Sequence, residues 1–140
     1  MAYYELYRRL TAGQIEPAQF SHQDHIRAAW ECLQKPLPEE INRLAAALQS
    51  LATRAGSPGR YHATITGAFL TLIAVRSRTG ESFAQFQRDN TDLFNGDCLA
   101  IHYSPSRLEL RVAREWFLAP DLKPLPYCPV CLTGVERSQH

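Results

Sequence analysis

Along most of this chain apolar residues return every three or four positions, and alternation with a period of two is nearly absent, so the pattern is helical rather than stranded. Residues 3–10 read as a short amphipathic helix, closed by Gly13 and Pro17. A second helix is predicted over residues 21–33, where Ser21 and Asp24 form the Ser-x-x-acid arrangement of a capping box. Pro38 suits the first turn of a third, whose stripe of Ile41, Leu44, Leu48 and Leu51 ends before Gly56 and Pro58. The fourth, over residues 60–76, is the most apolar and is expected at the centre. Phe83, Phe86, Asn90, Leu93 and Phe94 share one side of a fifth, residues 82–94, which Asn95-Gly96-Asp97 closes. A short turn over residues 98–103 then leads to Ser104-Pro105, which opens a last helix to about Trp116. From Ala119 onward Pro120, Pro124, Pro126 and Pro129 impose an extended, packed-down tail. The expectation is an all-α fold: a single-domain bundle of about five to six helices over residues 1–126, with a separate C-terminal tail over 127–140.

Histidines carry the chemistry. At 100° per residue, His22 and His25 fall on the stripe that also holds Ile26, Ala29 and Leu33, so both imidazoles are expected on the buried side of their helix. His62 shares its face with Ile65, Thr66 and Phe69 in the same way. With short antiparallel connections the second and fourth helices run parallel, which would gather all three imidazoles at one end of the bundle. Three convergent imidazoles can hold a mononuclear divalent transition metal with a coordination position left open; Fe, Cu and Zn are all compatible. Each ring also has a structural alternative, such as His25 packing on Phe20 as a hydrophobic staple. Tyr61, Thr66 and Asp97 are the candidate catalytic residues beside this site, as phenolic acid or base, hydrogen-bonding hydroxyl and carboxylate. Asn90, Asp92 and His102 are weaker candidates for further ligands or supporting partners.

Composition narrows the classes. The chain has 140 residues, 45% of them hydrophobic, and a net charge of +1. Its arginines are scattered, which gives no electrostatic footprint for nucleic acid. No apolar run approaches the roughly 18 to 20 residues that span a bilayer, and the N-terminus lacks a signal pattern, so a cytoplasmic protein with no membrane partner is expected. Cys32 and Cys98 read as buried small hydrophobes. Cys128-Pro129-Val130-Cys131 followed by Gly134 resembles half of a zinc knuckle. Closing it would need ligands from His140, another cysteine or a second copy in a homodimer; a redox dithiol and an idle tail stay open as alternatives.

The combination Phe20-x-His22-x-x-His25-x-x-x-Ala29-Trp30, Tyr61-His62-x-Thr64-x-Thr66, Tyr103-Ser104-Pro105 and Pro120-Asp121-Leu122-x-Pro124-Leu125-Pro126 resembles a family of small bacterial all-helical proteins. That resemblance implies a fold and a set of polar positions rather than an activity. The chain is also similar in texture to the DinB-like helical bundles, metal-binding proteins with a histidine triad, although their terminal His-x-x-x-His pair is absent here. Two functions follow as expectations. The first is a small metal-dependent enzyme with His22, His25 and His62 as ligands, acting on a small molecule. The alternative is a non-catalytic helical binding or accessory module with structural histidines and a zinc-binding or dimerising Cys-x-x-Cys tail.

Overall fold

The capping box at Ser21 forms as expected and starts α2 (His22–Cys32) at the next residue. The computed structural model describes residues 5–34 and 38–126; the Cys128 and Cys131 motif and His140 lie outside them. Among the described residues the fold is all-helical and contains no strand. Ahead of α2 stands α1 (Glu5–Thr11), and after it α3 (Pro38–Arg54), with Pro38 in the first turn where its missing N–H costs nothing. Then come α4 (Ala63–Arg76), α5 (Phe83–Asp89), α6 (Thr91–Asn95), α7 (Pro105–Leu108) and α8 (Arg111–Glu115). Among the described residues the α-helices number eight rather than five or six because two predicted helices are each broken once.

Each break falls at a single residue. Residues 82–94 would make one helix, but Asn90 adopts φ −136°, ψ 49° and closes α5 while opening α6. Its amide donates to the Phe86 carbonyl at 2.8 Å, and its Oδ1 accepts from Arg76, which also grips Asp92 with two N–H groups at 2.8 and 3.0 Å. At the second break Leu110 is extended (φ −63°, ψ 139°), which separates α7 from α8. Gly96, at φ 80°, supplies the left-handed residue that ends α6.

α4 is the hub, as its composition predicts. Thr64, Ala68, Leu70, Thr71, Leu72 and Ile73 are all buried, so this helix meets protein on nearly every side. Gly67 permits the closest approach: a Cβ there would stand 2.6 Å from Phe117 Cδ1. Around Trp30, the rings of Phe83 and Phe86 pack with centroids 5.4 and 6.4 Å away, which joins α5 to α2. α1 buries Tyr7 and Leu10 in the core and is also tied by charge. Glu31, fully buried on α2, accepts from the Tyr7 N–H at 2.8 Å and from Arg27 Nε at 3.1 Å, placing a carboxylate against the first turn of α1. Burial pushes its pKa up, and the same hydrogen bonds draw it back down.

The segment over residues 113–126 is tied back by hydrogen bonds, although residues 121–124 are exposed, and the rest of the expected tail lies outside the described residues. Thr64 Oγ1 lies 2.7 Å from the Ala113 carbonyl and 2.9 Å from that of Trp116, and accepts from the Leu118 N–H at 3.0 Å. Tyr103 donates to the Leu118 carbonyl, His102 donates through Nδ1 to the Lys123 carbonyl, and Asp121 accepts from the Ser104 hydroxyl. No helix among the described residues is long and apolar enough to cross a membrane.

Candidate functional site

Helix starts decide where the three imidazoles point. In α2 the cap is Ser21, whose Oγ accepts from the Asp24 N–H at 3.2 Å while the Asp24 carboxylate accepts from the Ser21 N–H at 3.0 Å. His25 is then the fourth helical residue, and Phe20, ahead of the cap, stacks on it with ring centroids 4.6 Å apart. This is the hydrophobic-staple arrangement. With the capping done by a serine, neither ring nitrogen of His25 has a hydrogen-bond partner among the described residues.

α4 begins in another way. Residues Pro58–Arg60 form a separate 3-10 turn, and His62, with φ −133° and ψ 109°, becomes the N-cap. Its Nδ1 accepts the Ile65 N–H at 3.1 Å, and its Nε2 donates to the Leu108 carbonyl at 2.8 Å. An imidazole has two nitrogens, and here both are engaged with backbone. Coordination of a metal through His62 would first have to break one of these bonds. In this arrangement His62, the expected metal ligand, ties the start of α4 to the end of α7 and leaves no ring nitrogen open.

His22 donates through Nε2 to the Leu93 carbonyl at 3.0 Å and meets Phe69 edge-on, with centroids 5.4 Å apart. Phe69 lies seven residues beyond His62, about 10 Å of helix rise. The starts of α2 and α4 do meet, but offset along α4: His25 shares a cleft with His62, while His22 lies against Phe69 and is bonded to the Leu93 carbonyl. Among the described residues no group of three His, Cys, Asp or Glu side chains could hold a metal ion. Asp97 is corrected as well. It is exposed in the 3-10 turn Asp97–Ile101 and does not line the site, and Asn90, Asp92 and His102 are held by the contacts given above.

Four of the predicted residues do come together. His25, Tyr61, His62 and Thr66 line one cleft of about 220 Å³ between α2, α3 and α4, with Leu48 and Ile65 among its apolar walls. A smaller cavity of about 90 Å³ adjoins it, sharing His25, Leu48, Ile65 and Thr66 and adding His22 and Phe69. His22 and His25 are both exposed to solvent, which corrects the expectation that their rings lie on the buried side of α2; Phe20 covers one face of His25. Partial burial of the His25 ring, reinforced by His22 and Arg60 and opposed by Asp24, lowers its pKa to about 4. Water in the cleft tempers the shift without changing its direction, and the ring is neutral at neutral pH. Burial likewise lowers the His62 pKa and raises that of Tyr61, where Thr66 works against the rise. The cleft thereby offers an unpartnered neutral imidazole beside a protonated phenol.

Sequence reasoning missed Arg60, which lines the cleft from the turn before α4. A proline-glycine pair two residues ahead was the available signal that the helix starts later and leaves Arg60 on a turn. No protein-family model, curated protein or solved structure matches the chain.

Proposed function

We propose that this chain is a small-molecule-binding helical module whose ligand lies in the cleft between α2, α3 and α4. His25, Tyr61 and Thr66 fix its orientation through polar contacts. One observation carries this reading: His25 holds an unpartnered neutral imidazole on a largely apolar cleft, while His22 and His62 are tied to backbone carbonyls. An apolar concavity with a few convergent polar groups is the usual form of a ligand site. A cavity near 150 Å³ holds a benzene ring, so this one suits a monocyclic or small bicyclic molecule. Partial burial lowers the basicity of His25, which favours binding over proton abstraction.

A second reading keeps a metal ion with fewer protein ligands. His22 donates through Nε2 and leaves Nδ1 open, the arrangement usual for a metal-bound imidazole, one turn from the open ring of His25. One NMR titration tests both readings. Phenol is expected to shift the His25 ring and Ile65 methyl signals, and Ala52→Phe, which fills the cleft, is expected to abolish the shifts. No response to phenol would end the first reading. In a parallel arm, cobalt(II) that neither broadens these signals nor develops a d–d spectrum would end the second.

A further inference from the structure

The charge on the cleft selects the ligand. Arg60 supplies the one guanidinium on its lining, and no carboxylate lines it among the described residues. Arg60 is exposed, and its side chain has no ion-pair or hydrogen-bond partner among the described residues, whereas Arg54 and Arg114, on the elements either side of it, are bound to the Ile15 and Gly59 carbonyls. Arg60 and His25 line the same cleft, so both groups address one space. Asp24, whose carboxylate also acts on His25, does not line the cleft and accepts from the Ser21 N–H in the capping box.

We infer that the cleft takes a small apolar acid, its ring against Leu48 and Ile65 and its carboxylate on Arg60, with hydrogen bonds from Tyr61 or Thr66. This rests on the proposed ligand site and adds its chemical class. An anion supplies what Arg60 lacks, because a guanidinium presents its donors in a fork that fits a carboxylate. A cation would meet the guanidinium on the lining itself, with Asp24, outside the lining, acting against the repulsion. A neutral ligand would leave Arg60 in water and gain only the apolar contacts.

Three probes of one shape separate these outcomes in the full chain: benzoate, benzyl alcohol and benzylammonium, followed by NMR at His25 and Ile65. Benzoate is expected to bind about tenfold more tightly than benzyl alcohol, the ratio expected of one charge-assisted hydrogen bond, and benzylammonium the least. Arg60→Gln is expected to erase the preference for benzoate. Arg88→Gln, the same change of charge on the exposed side of α5, is expected to preserve it. Equal binding of benzoate and benzyl alcohol, or a preference that survives Arg60→Gln, would overturn the anion assignment and leave the cleft as a ligand site. Failure of all three probes to move either signal would overturn the ligand site itself.

Discussion

On the side of α4 facing the C-terminal segment, His62 and Thr64 each answer backbone groups more than forty residues away, whereas across the cleft His25 keeps both ring nitrogens open. Both histidines sit at a helix start and both line the same cleft. What separates them is who caps the helix. In α2 a serine does so, which releases His25; ahead of α4 stand Gly59, Arg60 and Tyr61, none with a capping side chain, so the imidazole of His62 takes the task. A capping histidine gives up an acceptor nitrogen to the backbone, and with Nε2 bonded to Leu108 nothing remains for a ligand.

The largest effect should come from breaking the occupied side. His62→Ala removes the cap, worth about 1 kcal/mol, and strips the Leu108 carbonyl of its donor, worth about another 1 kcal/mol, so a loss near 2 kcal/mol is expected in urea unfolding. His62→Asn should recover roughly half by restoring the cap. His25→Ala should change stability by less than about 0.5 kcal/mol, as expected of a solvent-reached side chain, while abolishing the phenol response. Equal losses from the two alanine variants would erase the contrast.

Gly67→Ala probes the contact behind the same helix. The added methyl would press on Phe117. Overpacking of this kind costs about 1–3 kcal/mol, and the helical preference of alanine returns up to about 1, so a net loss near 1 kcal/mol is expected in the same unfolding assay.

The smallest effect is on pH dependence. His25 and His62 both have lowered pKa values in the fold, against about 6.5 when unfolded. As pH falls below about 6.5 the unfolded chain takes up these protons first, so stability drops through the window from about 6.5 toward 4. Glu31, its pKa raised, acts in the opposite sense below its own folded value. Melting temperatures of the wild type and the His25→Gln/His62→Asn double variant should therefore diverge at neutral pH and converge on acidification. Parallel curves would show that neither ring couples to folding.

Local features were legible in the sequence, and features decided at long range were not. Ser21 and Asp24 are three residues apart, so their box could be read directly, as could the ring of Phe20 against His25 and the all-round burial of α4. The break at Asn90 depends on Arg76, fourteen residues away, and the employment of His62 depends on a carbonyl forty-six residues away. Helical periodicity contains neither. The placing of His25 and Thr66 on one cleft needed, besides their helix faces, the parallel course of α2 and α4 that short connections imply. The three-imidazole convergence needed a crossing angle, and periodicity sets faces but not crossings.

The carboxylate of Glu31 makes α1 more than a prefix to the bundle. A chain clipped after Thr11 would keep that negative group in a greasy interior with Arg27 as its single named partner, so an exopeptidase that nibbled away the first helix would loosen α2 from within. Proteolytic trimming at this end would thus be felt by the cleft, on the far side of the same helix.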